Sequence, residues 1–473
     1  MNVLLLLDMV PEYHGLLVDL GKAFNKRGHQ TFYAFDSPLN TWRFRENPPD
    51  GESRVFSEFL AGFTGSDAAP DFSWAAFFPD FDRYEHYGVH WGNRQDWYHR
   101  LAGALEGFFE SCVRDWKIEL ILYEGVTNSY AHFANRIAER HGIAYVGVQA
   151  SRLPGRHEYH GANEDVLRQR IKKHYAAIAG GHAVEDSVNK WVAEYLANFE
   201  AATPDYMASN GLLLRDPVSK YANFRNLSNL WRLGSYQLLH RAPAERNYRS
   251  GPPLTYSLIH ARRSAVRWLR SKFLGKYFTL PAAGDRFLLY PLHFHPEAST
   301  SVNSRWYVDE YPVIKNLAFS LPPGKWLYVK DHPSAVGYPK LDFYEHVSRL
   351  PNVKLIRPGA NTKHLIRESE GVITQTGTVG YEALVLRKPV WVLGEVFYDF
   401  HPGCLKVGWN EELANSLLHP PQAPITEEQV RTLVAAYYMA TQPGALPLGN
   451  ERAASASFEQ LAAEIEAQVS QPD

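Results

Sequence analysis

The chain opens on an apolar run at residues 3–7, with no basic residue ahead of it and Asp8 directly behind it. This is the pattern of a buried strand rather than of an export signal. A loop at residues 8–15 leads to apolar positions at helical spacing over 16–26, which stop at Arg27-Gly28-His29, and strand character resumes at 31–34. The theme repeats with a strand at 120–123, a loop at 124–129, a helix to about residue 141 and a strand at 144–148 after Gly142. Strands alternating with helices in this way predict a mainly parallel, doubly wound sheet. A second alternating region begins near Asp285, with apolar strands at 287–291, 326–330, 353–356, 371–374 and 389–393 and helices at 308–320 and about 380–386. Residues 47–97 are rich in Pro, Gly, Asp and aromatics and read as an elaborated loop region near a cleft between domains. Residues 165–278 read as helical without strands, and the tail from 426 to 469 is helical by pattern.

Composition sharpens this picture only in places. At 473 residues and 53.8 kDa the chain exceeds what one core supports, so two domains with additions are expected. The pattern predicts an α/β N-terminal domain over 1–160, a helical insertion or bridging segment over 161–280, a second α/β domain over 281–425 and C-terminal helices over 426–473. With 45% hydrophobic and 21% charged residues and a net charge of -2, the chain is neither disordered nor a nucleic-acid coat protein. Its two cysteines, Cys112 and Cys404, give no disulfide framework and suit a reducing compartment, so a cytoplasmic location is expected. No run approaches the roughly 20 apolar residues of a membrane span.

Charge is unevenly distributed. Between Arg215 and Lys276, thirteen Lys and Arg residues stand against Asp216 and Glu245, a local excess in a chain that is close to neutral. Tyr221, Phe224, Trp231, Tyr236, Trp268 and Phe273 are interleaved with them. Such a segment suits either peripheral contact with the inner membrane surface or a charged glycan; a solvated helix face is the plainer alternative.

Three motifs follow predicted strands, the position at which open parallel sheets bind ligands. Val329-Lys330-Asp331-His332-Pro333 places a Lys and a His where both can donate to a phosphate. In the run from Ile373 to Leu384, Thr376, Gly377 and Thr378 precede a helix whose positive end favours an anion, and Glu382 is placed to accept from ribose hydroxyls. After the strand at 287–291, His293, His295 and Glu297 bring imidazoles and a carboxylate to the same face, suited to binding donor or acceptor. Metal ligation by the two histidines is the weaker reading, and no metal or cofactor is assigned.

Through these motifs residues 289–400 resemble the capsule polysaccharide biosynthesis glycosyltransferases, which are similar to Kdo transferases; the Lys-x-His-Pro element also resembles polysialyltransferases and teichoic-acid polymerases. The first half resembles them in outline. The resemblance implies a GT-B fold, with two Rossmann-like domains facing across a cleft, an acceptor-side N-terminal half and a donor-side C-terminal half. It further implies that Lys330 and His332 meet the donor phosphate, that Thr376 to Thr378 line the pocket and that Glu382 holds the ribose. CMP- or CDP-linked sugars are the favoured donors, and a polysaccharide or glycolipid is the acceptor; no nucleic acid is expected as a partner.

Such a transferase needs a general base from the N-terminal half. Glu124, at the end of the strand at 120–123, is the first candidate, followed by Glu12 and His14 in the loop after the first strand. Three alternatives share the pattern: a UDP-sugar transferase, a nucleotide-sugar 2-epimerase, and a non-catalytic nucleotide- or glycan-binding protein.

Overall fold

A computed structural model describes the chain except for residues 9–10, 44–45, 66–71, 89–91, 93, 164, 206–223, 243–245, 409–410, 422, 449–454 and 471–473. It divides into two compact units, one made of residues 1–163, 220–261 and 443–473 and the other of 164–219 and 262–442. Each unit is a Rossmann-like α/β domain built on its own sheet.

The first sheet holds β1 (Asn2–Leu7), β2 (Gln30–Phe35), β3 (Glu52–Val55), β4 (Leu120–Tyr123), β5 (Ala144–Ala150) and β6 (Arg156–His160). A two-residue strand, Gln442–Pro443, completes the order Gln442–Pro443, β6, β5, β4, β1, β2, β3. β1 to β5 pair in parallel and β6 runs antiparallel to β5. The leucines of β1 are inaccessible on both faces, as a central parallel strand requires. The chain builds outward from β1 to β2 and β3, then returns to add β4 and β5 on the other side. The carboxyl ends of β1 and β4 therefore flank a topological switch point.

The second sheet holds β7 (Phe287–Pro291), β8 (Trp326–Lys330), β9 (Val353–Ile356), β10 (Gly371–Thr374), β11 (Val390–Val392) and β12 (Cys404–Lys406). Its order is β12, β11, β10, β7, β8, β9, all parallel. The same construction places a switch point between β7 and β10. Trp391 on β11 is wholly buried within this core, with its indole N–H donated to Ser416 at 3.0 Å.

Several expectations are corrected. The first helix runs Pro11–Lys26, so Glu12 and His14 lie on a helix and not in a loop; a proline is tolerated at the first helical position because its missing N–H has no intrahelical partner there. The region 47–97 is not simply loop: it contains β3, the helices Phe56–Gly62 and Phe78–His86 and a 3-10 turn, Trp74–Phe77. The second sheet gains a sixth strand, β12. The tail is broken by Gln442–Pro443 between the helices Glu427–Met439 and Phe458–Ser470.

The stretch 165–278 is helical among the described residues, but it is shared between the units. Residues 220–261 join the first, where Tyr236 packs on Trp42 at 4.9 Å between ring centroids. The helices Asp165–Ala179 and Asp186–Ala197 join the second, with Trp191 against Tyr438 at 4.7 Å. Arg215, Asp216, Lys220, Tyr221 and Glu245 of the basic segment lie outside the described residues.

Candidate functional site

In the second unit, the loops after β7, β8 and β10 meet at the switch point. A buried relay runs between two of them: His293 Nδ1 stands 3.1 Å from Glu310 Oε1, and His293 Nε2 accepts the Gln375 N–H at 3.2 Å and lies 3.1 Å from Thr374 Oγ1. Because Nε2 accepts, the ring proton sits on Nδ1 and is donated to Glu310, which fixes the tautomer. Thr374 Oγ1 in turn accepts the Gly377 N–H at 3.0 Å, so the turn after β10 is tied through His293 to the loop after β7. Gln375 closes the network by donating to Tyr290 Oη at 2.9 Å and to the Tyr307 carbonyl at 3.0 Å, and by accepting from Ser304 at 3.0 Å.

Beyond this turn Gly377 caps the helix Thr378–Val385 without a side-chain cap, leaving the positive end of the helix to the loop. Tyr398 donates its hydroxyl to the Gly377 carbonyl at 2.7 Å; it occupies the space a Cβ at Gly380 would need, which explains glycine at the third helical position. Thr376 donates to the Ser299 carbonyl at 2.9 Å. That bond ties in the short helix Ala298–Ser301, whose capping box is made by Glu297 and Thr300, while His295 Nδ1 lies 3.0 Å from Thr300 Oγ1. Thr376, His295 and Glu297 are thus brought to the site, where each is engaged in shaping its loops.

The loop after β8 carries the charged groups. Lys330 is 4% exposed and donates to the Pro358 carbonyl at 3.1 Å; burial lowers it to about 8, against the pull of Asp331 and Glu382. His332 is held down to about 4 by burial first and then by the neighbouring charge of Lys330, with Arg267 adding to it. Its Nδ1 accepts the Ser334 N–H at 3.2 Å, so the neutral ring carries its proton on Nε2 as a donor. Burial pushes Asp331 up to about 7, and its carboxyl accepts from the His332 N–H at 2.8 Å and the Tyr344 hydroxyl at 3.2 Å. Glu382 is also raised by burial, with Lys363 and Lys330 pulling it back, so Glu382 and Lys330 face one another electrostatically. Arg267 clamps the turn after His332, donating Nη2 to the Ser334 carbonyl and Nε to the Val336 carbonyl, both at 2.7 Å, while its guanidinium lies 4.3 Å from the centre of the Tyr338 ring.

In the first unit, Glu124 follows β4, accepts from Thr127 Oγ1 at 2.8 Å and is pushed up to about 7 by burial and then by Asp8. His14 is 3% exposed, with its ring 6.1 Å from that of Phe35, which places it in the core rather than at an open loop. Beside Glu124 lies a cluster that sequence reasoning did not single out. Arg249 Nη2 donates to Asp36 at 2.7 Å and to Asp8 at 3.1 Å, and Nη1 lies 3.8 Å from Asp80, all four side chains being buried. Burial pushes Asp36 up to about 6 even though Arg249 pulls it down. Asn128 donates to Asp8 at 3.1 Å and caps the helix Ser129–His141 with its carbonyl oxygen.

Glu310, Gln375, Asp331 and Arg267 were likewise not assigned roles from sequence. The usable signal was a glutamine and a threonine interrupting the apolar end of β10. Arg267 and Glu310 carry no local mark of their partners. Among the described residues no group of three or more His, Cys, Asp and Glu side chains is arranged to hold a metal ion.

Residues 217–438, just under half of the chain, match the family described as capsule polysaccharide biosynthesis protein. No curated protein matches the sequence. Among solved structures, the chain is similar to the KpsC β-Kdo 2,7 transferase of Thermosulfurimonas dismutans, with 12% identity, 84% of this chain and 97% of that one covered, and a TM-score of 0.36. The β-Kdo 2,4 transferase of the same KpsC gives 15% identity, 67% and 79% coverage, and a TM-score of 0.35. The UDP-GlcNAc 2-epimerase of Methanocaldococcus jannaschii gives 13% identity, full coverage of both chains and a TM-score of 0.28. The match to the capsule polysaccharide biosynthesis family thus lies on residues 217–438 of a chain built on two Rossmann-like units.

Proposed function

We propose that the protein is a glycosyltransferase that moves a sugar from a nucleotide-sugar donor, CMP- or CDP-linked, to a surface polysaccharide or glycolipid acceptor. The observation that carries the reading is the convergence of three phosphate-compatible groups at one switch point: Lys330, the Nε2–H of a neutral His332, and the uncapped start of the helix at Thr378. As the bond from the anomeric carbon to the phosphate oxygen breaks, its electron pair stays on the phosphate. Preorganised donors and a cation stabilise that developing charge without reorganising. Glu382, beside Lys330, is the candidate acceptor for ribose hydroxyls.

The acceptor hydroxyl loses its proton as it attacks, and Glu124 in the first unit is the proposed base. A carboxylate with a pKa of about 7 accepts a proton more readily than an ordinary one while remaining substantially ionised near neutrality. Leaving-group stabilisation by protein groups requires no bound metal in this reading. A thermal-shift panel of CMP, CDP, UDP, GDP and ADP tests it: a ligand bound only by the native state raises the melting temperature. Stabilisation by a cytidine nucleotide, lost in His332→Ala, supports the assignment. Preference for UDP moves it to a UDP-sugar enzyme, and no shift with any nucleotide refutes the donor site.

A further inference from the structure

The helix Pro253–Ser271 and the turn after it carry an outward face with no role in the site just described. Arg262 and Leu269 lie within roughly 20° of one another around the helix at 3.6 residues per turn, and Lys272 and Phe273 follow in the turn that ends it. All four are exposed, Leu269 by 55% and Phe273 by 56%, and exposed Lys276 follows in the 3-10 turn Leu274–Tyr277. Among the described residues none of the three cations is paired with a carboxylate. The sequence offers no acid locally either: residues 246–284 contain no Asp or Glu.

We propose that this face docks on an anionic lipid bilayer. A soluble polyanion would pair with Arg262, Lys272 and Lys276 but would leave Leu269 and Phe273 in water. A boundary of anionic headgroups and acyl chains takes both the charges and the apolar side chains. Other positions of the same helix carry Arg267 and Arg270, which donate to the carbonyls of Ser334, Val336 and Tyr338 in the turn after His332. Docking therefore holds the loops of the candidate site close to the leaflet, where a lipid-linked acceptor would be presented. The lipid contact itself does not depend on the transferase reading.

The test is co-sedimentation of the full chain with vesicles of phosphatidylcholine alone or mixed with phosphatidylglycerol, without any nucleotide. Binding is expected on the mixed vesicles only. Each basic side chain near an anionic leaflet changes partitioning about fivefold, so Arg262→Gln, Lys272→Gln, Lys276→Gln together lower it roughly a hundredfold. Leu269→Ser with Phe273→Ser also releases the protein, while its melting temperature and nucleotide binding stay at wild-type values, because both side chains project into solvent. Failure to bind mixed vesicles overturns the proposal. So does binding that the Leu269→Ser, Phe273→Ser variant retains in full and that soluble heparin displaces, which would assign the face to a charged polymer.

Discussion

Replacing His332 by alanine removes one donor from the candidate phosphate site and leaves the β8 loop otherwise held by Asp331, Tyr344 and Arg267. An N–H donated to an ionised acceptor nets about 1.5–3 kcal/mol, so the Kd for the cytidine nucleotide should rise between roughly tenfold and 150-fold. His332→Gln, whose amide can place an N–H near the position of Nε2, should recover part of that loss. The protonation state gives a sharper check. With its pKa held down to about 4, His332 is neutral across the range in which an ordinary histidine titrates near 6.5. Calorimetric Kd values for wild type and His332→Ala, measured from about pH 5 to about pH 8, should therefore stay in constant ratio, since the ligand's own phosphate titration cancels between them. A ratio that grows below about pH 6.5 would mean that the imidazolium is the binding species, and the assignment of a neutral Nε2–H donor would fall.

Other outcomes follow from the same geometry. Glu124→Gln should lower kcat/KM by about a hundredfold or more while nucleotide affinity is kept, and the wild-type pH profile should rise through about 7 as Glu124 deprotonates and fall above about 8 as Lys330 does; a profile whose rising limb survives in the variant would remove Glu124 as the base. Arg249→Ala leaves three buried carboxylates facing one another and should cost about 3–5 kcal/mol in urea denaturation, whereas a loss below about 1 kcal/mol would show that the cluster is solvated in the native state. Asp331 binds a proton more tightly folded than unfolded, so its contribution to stability is greatest near the unfolded value of about 4 and declines as pH rises to about 7. Asp331→Asn should flatten that decline, worth on the order of a few kcal/mol; an unchanged slope would place the titration elsewhere.

What could be read from the chain and what could not divides along physical lines. β1 and β7 announce themselves because a strand buried on both faces has to be a continuous apolar run. β3, whose sequence is Glu-Ser-Arg-Val, lies at an edge and needs no such run. β6, Arg-His-Glu-Tyr-His, is wholly buried although it is polar; Glu158 accepts from Arg152 at 2.6 Å, and His157 lies 2.8 Å from Glu464. Pairing across 307 residues leaves no local trace. That Lys330 ends a strand, and that His332 and Thr376 to Thr378 follow strands, was legible because a strand and the turn after it are local in sequence. The Arg249 cluster was not, since Asp36 and Asp8 stand 213 and 241 residues away from Arg249.

The interleaving of the two units also governs how this protein can be recombined. The family-matched stretch 217–438 takes in 220–261, which belongs to the sheet of β1, and omits 164–216, whose helices pack with the helix Glu427–Met439. A fragment cut at the ends of that stretch would carry Arg249 away from Asp8, Asp36 and Asp80 and strip Tyr438 of its Trp191 contact. A working chimaera of two relatives instead needs four crossovers, near residues 163, 220, 261 and 442, so that each unit inherits all of its segments from one parent. A single contiguous swap therefore transfers neither unit whole.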